Sequence, residues 1–354
     1  IFFNAAPAAV SRDHQLVAYY QSPNDTGVFP GPSPQPGGTR ELHPTAGHVL
    51  CCVGNSARII PNYIQSMWMA TMDNGVAATL YGPCRVRAHV SANGTPVTIS
   101  CKTAYPFEER IRLVLDMKQA TRFPLYLRIP GWCRQARLSV NGTRDETPTR
   151  HGFVKLDRSW EPGDVVELHL PMRVDVKRGT ETPIPRISYF ARERARRGMN
   201  TGRFPNPYAT VHYGPLLMAL PIQDKTPNQP VDTDLWKVAL DVRSQETDDR
   251  TRLTRHPMPE TGPWSLDAPV RLEVPVQAFA WQPTPKYPLP PAPITEGQRK
   301  RVTLVPYGCT RFRISMFPVT EHTWHGMPAS VHVEMDENVE LLGGSAYYDD
   351  STLS

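Results

Sequence analysis

From Gly75 onward the sequence falls into short segments in which apolar and polar residues alternate, and this period of two is typical of β-strands. In "LYLRIP" the two leucines and the isoleucine fall on one face of the predicted strand, and the tyrosine and the arginine fall on the other. Turn signals separate the segments, among them "EPGD" and the Asn-Gly pairs at 93–94 and 141–142. The 38 prolines, about twice the average usage, also disfavour long helices. We therefore predict that residues 74–173 form an antiparallel β-sandwich.

The same alternation returns later in the chain, in "ATVHYGPLLMALPI", "VRLEVPVQAFAW", "KRVTLVPYG", "TRFRISMFPV" and "ASVHVEM". Proline-rich connectors lie between these segments, and the longest, "WQPTPKYPLPPAPITEG", is typical of an extended surface loop. We predict that residues 174–354 form a second β-sandwich with Pro-rich loops and a C-terminal tail. The predicted fold class is therefore mainly β, with two β-sandwich domains that follow a helical remnant.

Before Gly75 the pattern differs, and two helical segments are predicted on either side of the Pro/Gly loop "GVFPGPSPQPGGTR" at residues 27–40. A helical fragment is expected within residues 1–20, where it ends near "AYYQSPN". Further along, apolar residues recur with a period of 3.6, which predicts an amphipathic helix that ends at "MDNG". Its predicted apolar stripe consists of Ile59, Ile60, Tyr63, Ile64, Met67 and Trp68.

Net charge and hydropathy disfavour several classes of partner. The net charge of +5 is small for 354 residues, and the basic residues form no nucleic-acid-binding motif. No apolar run reaches the roughly 18 residues that span a bilayer. Neither nucleic acid nor a membrane is therefore predicted as a partner. The chain opens with "IFFNAAPAAV", which is typical of the middle of a helix, so we expect the sequence to be part of a longer protein.

The six cysteines show no CxxC spacing. Cys51 and Cys52 are adjacent, which disfavours a disulfide between them. Either both pack as small apolar residues, or their sulfurs share a third partner such as a metal ion. His43 or His48 could complete such a metal site, although loop histidines without a ligand are the alternative. The remaining cysteines are predicted to be buried free thiols on strands: Cys84, Cys101, Cys133 and Cys309.

Several stretches resemble the C-terminal part of glycoside hydrolase family 127, the β-L-arabinofuranosidase family. They are, in chain order, "CCVGNSARIIPNYIQSMWMAT", "DNGVAATLYGP", "YPFEERIRLVL", "FPLYLRIPGWC", "LSVNG", "YGPLLMAL" and "LVPYGCTRFRISMFP". The double cysteine followed by Asn55 and Arg58 is a specific signal of this resemblance, which covers most of residues 1–320.

The resemblance implies an (α/α)6 barrel followed by two β-sandwiches, with residues 1–73 as the C-terminal remnant of the barrel. It implies a glycosidase that hydrolyses terminal β-L-arabinofuranosides, or related sugars, with retention of configuration. Cys51 is implied as the nucleophile and a zinc ligand, Cys52 as a second zinc ligand, and Tyr20 as a contact to the sugar. Zinc would keep a thiol ionised, whereas a free thiol with a pKa near ~8.5 is mostly protonated at neutral pH.

The sequence departs from the family pattern in two places. Ser22 and Asn24 replace the asparagine and the leucine of a Tyr-x-Asn-Pro-Leu pattern, which weakens the assignment of Tyr20. The family's acid/base glutamate and its Glu-x-Cys zinc ligands precede the double cysteine, but Glu41, the only glutamate before Cys51, has no cysteine two residues on. The remaining zinc ligands are therefore expected upstream of this chain. The alternatives are a part of an active enzyme and a degenerate relative.

Two classes of function follow from these observations. The first is the glycosidase, acting on a carbohydrate substrate. The alternative is a non-catalytic carbohydrate-binding or dimer-forming β-sandwich module, with Trp68, Trp132 and Trp160 as candidates for sugar stacking or, as is commoner, for the core. A reduced thiolate site slightly favours the cytoplasm, whereas the Asn-X-Thr sequons and a glycan substrate favour a periplasmic or extracellular location.

Overall fold

The computed structural model of the protein describes most of the two β-rich regions and part of what precedes them. The described residues are 3–9, 16–18, 24–25, 42–44, 58–181, 206–222, 235, 237–242, 250–260, 262–265, 267–280, 294–310, 312–320 and 323. The site residues Tyr20, Cys51 and Cys52 lie outside the described residues, as do His48 and the strand predicted from "ASVHVEM".

The described residues before the first sandwich form short helices and short strands. These elements are α1 (Ala5–Ala8), β1 (Leu16–Ala18), β2 (Asn24–Asp25), β3 (Leu42–Pro44) and α2 (Ile59–Gln65). Because β1 pairs antiparallel with β3, residues 16–18 form a strand, and the helical fragment expected within residues 1–20 is wrong at these residues. The helical barrel remnant expected in residues 1–73 is not seen in the described part of that range.

Helix α2 is shorter than the predicted helix and does not bury the predicted stripe. It ends at Gln65, and Trp68 already lies on a strand. Ile60 and Ile64 are 52% and 60% exposed, so the period of 3.6 predicted the helix correctly but not the burial of its apolar face. Within the described part of the chain, no helix has both the length and the apolar character needed to cross a bilayer.

The first β-sandwich consists of two sheets around one core. Its strands are β4 (Trp68–Ala70), β5 (Val76–Ala78), β6 (Cys84–Val90), β7 (Thr95–Lys102), β8 (Arg110–Met117), β9 (Thr121–Arg128), β10 (Arg137–Val140), β11 (Thr143–Asp145), β12 (Thr149–Arg150), β13 (Phe153–Trp160) and β14 (Val165–His169). One sheet has the order β11-β10-β14-β8-β7-β6, and the other has the order β12-β13-β9-β5-β4. The described pairs are antiparallel, as predicted, apart from the parallel pair β5–β9.

Alternating apolar side chains of both sheets fill the core of the first sandwich. On β8, Ile111, Leu113 and Leu115 are fully buried, and the residues between them point away from the core. Burying each such side chain contributes about 1.5–3 kcal/mol. Trp160 is also fully buried, and its indole N–H donates to the carbonyl oxygen of Phe123 at 3.0 Å. The one polar atom of this large side chain is therefore satisfied.

The two Asn-Gly signals lie in hairpin turns, as the sequence predicts. Asn141 and Gly142 have φ values of 51° and 79° and connect β10 to β11 as a two-residue turn. Gly94, with a φ of 62°, lies in the turn between β6 and β7. Positive φ at these positions favours glycine and asparagine, which tolerate the left-handed region best.

The second β-rich unit is built on one continuous path of strands. Its strands are β15 (Val174–Glu181), β16 (Asn206–Tyr213), β17 (Leu216–Pro221), β18 (Val238–Leu240), β19 (Arg252–Arg255), β20 (Val270–Ala278), β21 (Gln298–Pro306) and β22 (Arg313–Ile314). The order is β15-β16-β17-β21-β20-β18, with β19 beside β20 and β22 beside β17 and β2. The prediction of a mainly β chain is thus confirmed, whereas the domain boundaries remain predictions.

The second unit folds back on itself because residues 317–320 bridge strands that are far apart in the sheet. Phe317 pairs with Ala209 of β16, and Val319 pairs with Leu240 of β18. All four of these side chains are fully buried. The strands of the unit therefore enclose one apolar core.

Glu109 links the two β-rich units. Its Oε1 accepts hydrogen bonds from the Arg255 guanidinium at 3.0 Å and from the Tyr213 hydroxyl at 3.3 Å, and both donors belong to the second unit. Its Oε2 lies 3.0 Å from Nε2 of His169, in the first sandwich. One carboxylate that contacts strands of both units fixes their mutual position.

Candidate functional site

The residues that flank the predicted site are held by two different parts of the fold. Tyr20 lies between β1 and β2, and the cysteine pair lies between β3 and α2. The β1–β3 pairing brings Ala18 opposite Leu42, so the segments that lead to Tyr20 and to Cys51 start from neighbouring strands. His43 is on β3, opposite Val17.

Two asparagine side chains attach the beginning of the chain to the second unit. The Asn4 amide donates to the carbonyl oxygen of Pro215 at 3.2 Å and accepts from the N–H of Leu217 at 2.9 Å. The Asn24 amide donates to the carbonyl oxygen of Met316 at 2.7 Å and accepts from the N–H of Ser315 at 2.9 Å. Tyr20 is thus preceded and followed by anchored residues.

Helix α2, which follows the cysteine pair, is attached to the first sandwich by an aromatic cluster. Phe3 packs edge-on against Tyr63 of α2 and against Tyr105, with ring centroids 5.7 and 5.5 Å apart. Tyr105 packs edge-on against Tyr81 at 6.1 Å. Edge-to-face pairs of this kind add about 0.5–1.5 kcal/mol each beyond their buried area. The cluster therefore joins the start of the chain, α2 and the first sandwich.

The tyrosine hydroxyls of this cluster act as structural donors. Tyr63 donates to the carbonyl oxygen of Tyr81 at 2.9 Å, and Tyr81 donates to the carbonyl oxygen of Arg128 at 2.7 Å. Burial raises the pKa of Tyr63 and of Tyr81 above its usual value, and it raises the pKa of Tyr105 to about 12. These phenols are therefore neutral at physiological pH and are unsuited to act as bases.

The tryptophans singled out by the sequence differ in burial. Trp160 is core, as described above, and Trp132 packs against the cores of both units. Trp68 is partly buried, and its indole N–H donates to the sulfur of Cys84 at 3.3 Å. None of the aromatic side chains whose burial the structure describes is exposed. Sugar stacking needs an open ring face, which the fully buried Trp160 does not have.

The described cysteines are free thiols, as predicted, but their placement differs in part. Cys101, Cys133 and Cys309 are buried, whereas Cys84 is partly exposed. Cys84 and Cys101 lie on strands, whereas Cys133 follows β9 in a loop and Cys309 lies in a 3-10 turn. No cluster of three or more His, Cys, Asp or Glu that could hold a metal occurs among the described residues.

Sequence reasoning missed that Cys84 and Cys101 are cross-strand partners on β6 and β7. The Asn-Gly pair at 93–94 predicts a turn between the two strands, but it does not give the four-residue loop, 91–94, that places Cys84 opposite Cys101. Sequence reasoning also missed a polar depression of about 280 Å³ on the outer face of β19, β20 and β21. The depression is lined by Arg252, Thr254, His256, Arg271, Glu273 and Thr303.

Comparison with known proteins agrees with this architecture. Residues 75–172 match the family model described as "Beta-L-arabinofuranosidase, GH127 middle domain". No curated protein matches the chain. Three solved structures are similar over 90% of this chain.

The first of these structures is described as a glycoside hydrolase, with a TM-score of 0.64, 19% identity and 47% of its own length covered. The second is Ara127N, a GH127 β-L-arabinofuranosidase from Geobacillus stearothermophilus T6, with a TM-score of 0.59, 21% identity and 44% covered. The third is the GH127 β-arabinofuranosidase BT3674, with a TM-score of 0.61, 19% identity and 44% covered. This chain therefore spans less than half the length of each.

At these identities the solved structures establish a shared fold, and the family model identifies the segment that forms the first sandwich. The resemblance to glycoside hydrolase family 127 is therefore confirmed over residues 75–172, which match the middle domain of that family.

Proposed function

We propose that this chain is part of a retaining glycosidase that hydrolyses terminal β-L-arabinofuranosides or related sugars, with Cys51 as the nucleophile. The observation that carries the proposal is the match of residues 75–172 to the GH127 middle domain, together with the "CCVGNSAR" motif at residues 51–58, upstream of it. The similarity to solved GH127 enzymes over 90% of the chain supports the same assignment.

In the proposed reaction, the sulfur of Cys51 attacks the anomeric carbon, and the bond to the leaving oxygen breaks. The leaving oxygen takes a proton from an acid, which in the second step removes a proton from the attacking water. We assign the sugar contact to Tyr20 and expect the acid/base residue upstream of Cys51. Tyr63 and Tyr81 are unsuited to this role, because burial raises the pKa of each phenol and so makes it a poorer acid.

The donor set formed by Cys51 and Cys52 fits zinc, since zinc prefers thiolate sulfur and tetrahedral geometry. When bound, the ion would keep the attacking thiol ionised at neutral pH. The further ligands are expected outside the described residues, which contain no cluster able to hold a metal. The need for reduced sulfur leads us to propose a reducing compartment, with the cytoplasm favoured over an exported location.

Helix α2 would position the cysteine pair in this proposal. It begins at Ile59, shortly after Cys52, and Tyr63 ties it to the first sandwich by a hydrogen bond and an aromatic contact. The middle domain would thus hold the site in position, while Cys51 would act as the nucleophile.

The test uses protein expressed from its complete coding sequence. We expect about one zinc per chain and hydrolysis of an aryl β-L-arabinofuranoside, and Cys51→Ser is expected to lower kcat by more than about 10³-fold. Cys309→Ser is the matched control, because this buried thiol donates to the carbonyl oxygen of Pro263 and a serine hydroxyl can do the same. A zinc-free protein whose hydrolysis survives Cys51→Ser would refute the proposal.

A homodimer is a second candidate, supported by the distribution of exposed apolar side chains. Of the six large apolar side chains that the described residues expose, four lie within residues 60–72: Ile60, Ile64, Met69 and Met72. Such a concentration is typical of an interface.

We expect light scattering to give a dimer that becomes a monomer when Ile60 and Ile64 are both replaced by aspartate. Replacement of Met258, which is 43% exposed elsewhere in the chain, is the control and should leave the dimer intact. A protein that is monomeric at all concentrations would contradict this role.

A further inference from the structure

Cys84 and Cys101 face each other across the hairpin formed by β6 and β7, where the structure pairs them directly. Directly opposed residues of antiparallel strands have Cα atoms about 4.5 or 5.5 Å apart. Both spacings fall within the roughly 4.4–6.8 Å that a disulfide spans. The two thiols are hydrogen-bonded to each other and form no disulfide in this structure. Bond formation would therefore need no movement of the strands.

The two thiols differ in access. Cys84 is partly exposed, whereas Cys101 is only 4% exposed. Cys133 and Cys309, the other described cysteines, are also buried. A reagent in solution therefore reaches Cys84 before any other described thiol, and Cys101 can reach the sulfur of a modified Cys84 from within the hairpin.

The surroundings of Cys84 favour its thiolate. A hydrogen bond from Cys101 and one from the indole N–H of Trp68, at 3.3 Å, lower the pKa of Cys84 to about 6. The hydrogen bond to Cys84 and burial raise the pKa of Cys101, so the pair holds one proton at neutral pH. Nearby Tyr63 and Tyr105 are neutral because burial raises the pKa of each, and they place no negative charge beside the thiolate.

We propose that Cys84 and Cys101 are a reversible redox pair that closes to a disulfide by exchange with a low-molecular-weight disulfide. The Cys84 thiolate attacks one sulfur of the reagent, the sulfur–sulfur bond of the reagent breaks, and the first small thiol leaves with a proton from solvent. Cys101 then loses its proton and attacks the Cys84 sulfur, and the second small thiol leaves with that proton. Overall, two protein thiols are oxidised to a disulfide and one small disulfide is reduced to two thiols.

This pair is separate from the proposed catalytic site, since it uses neither Cys51 nor Cys52. Trp68, at the start of β4, contacts Cys84, so the pair lies beside the strand that follows α2.

The test treats the intact chain with glutathione disulfide, alkylates the remaining thiols and digests with trypsin. Cleavage after Arg58, Arg85, Arg87 and Lys102 places Cys84 alone on peptide 59–85 and Cys101 alone on peptide 88–102. We expect these two peptides to be recovered as one cross-linked species, which dithiothreitol separates.

Two variants test the order of events. Cys101→Ser should trap glutathione on Cys84, and Cys84→Ser should leave Cys101 unmodified because it is buried. Cys309→Ser is the control and should still give the cross-linked peptides.

The pH profile provides a readout that a merely structural pair would not show. We expect the rate of modification of Cys84 to be half-maximal near pH 6, and Trp68→Phe to move that midpoint upward because the indole donor is lost. Glutathione that stays on Cys84 in the native chain, a Cys84 disulfide to any other cysteine, or a midpoint near the ordinary thiol pKa of ~8.5 would each overturn the proposal.

Discussion

Gly75 is the residue at which a single methyl group should disturb the first sandwich most. It is buried, it directly precedes β5, and its N–H donates to the hydroxyl of Thr71 at 3.0 Å. A Cβ at this position would lie 2.5 Å from Cγ of Pro124 on β9 and closer still to the carbonyl oxygen of that residue. Carbon atoms pack best at about 3.5–4.0 Å, so the overlap is at least about 1 Å.

The loss in the free energy of unfolding expected for Gly75→Ala depends on whether the atoms that the new Cβ would contact can move away. The atoms it meets belong to a backbone carbonyl and a proline ring, neither of which can rotate away, so relief requires β5 and β9 to separate. Overpacking of this kind costs about 1–3 kcal/mol, and we take the upper end. Alanine also restricts the unfolded chain, which stabilises by about 0.4–1 kcal/mol. The expected net loss in the free energy of unfolding is about 2 kcal/mol.

Gly131→Ala is the matched control. Nothing lies within 4 Å of its built Cβ, and its φ is not in the positive region. We expect this variant to be neutral or more stable by up to about 1 kcal/mol. The assay is urea unfolding followed by circular dichroism, with the midpoints compared at equal slope. If Gly75→Ala proves as stable as Gly131→Ala, the close packing of β5 against β9 is refuted.

Three further predictions follow from buried or charge-paired groups. Trp160→Phe should destabilise the protein by about 2 kcal/mol in urea unfolding, because the carbonyl oxygen of Phe123 loses its donor and the core loses volume. The hydrogen bond from Lys155 is the largest cause of the lowered pKa of Asp73, so the stability that this pair contributes is present above the unfolded pKa of ~3.9 and is lost as pH falls. The free energies of unfolding of the wild type and of Asp73→Asn should differ by less than about 1 kcal/mol, and the difference should shrink under acid conditions. Burial lowers the pKa of His212 to about 4, so stability should fall by roughly 2 kcal/mol as pH drops from about 6.5 to 4, and His212→Gln should remove that slope in pH-dependent unfolding.

The strands of the first sandwich were predictable because a period of two is a local property of the sequence. Leu125 and Leu127 are fully buried and Arg128 is exposed, as the alternation in "LYLRIP" predicts. The Asn-Gly turns were predictable for the same reason, since the positive φ that they supply depends on the residue itself.

The beginning of the chain was not predictable from local patterns. β1 exists because Leu16–Ala18 meets a partner at Leu42–Pro44, and no short-range periodicity encodes that pairing. The predicted burial of the apolar stripe on α2 was wrong for a different reason. Its period predicted a helix, but Ile60 and Ile64 are exposed, since burial depends on what packs against a face.

The candidate site was predictable only as a motif. The family resemblance was confirmed through residues 75–172, whereas the roles of Cys51, Cys52 and Tyr20 stay predictions because these residues lie outside the described part of the chain. The Cys84–Cys101 pairing was missed because the Asn-Gly signal at 93–94 does not fix the length of the turn, and so does not fix the register of β6 against β7.

The anchoring of Asn24 to Met316 has a consequence for how the protein is made on the ribosome. The two partners are separated by 292 positions in the chain. At a synthesis rate of about 5–20 residues per second, Met316, whose carbonyl oxygen accepts from the amide of Asn24, is translated roughly 15 to 60 seconds after Asn24. During that interval residues 24–25 lack the strand β22 with which they pair in the folded protein, so this pairing forms only after the later strands have been made.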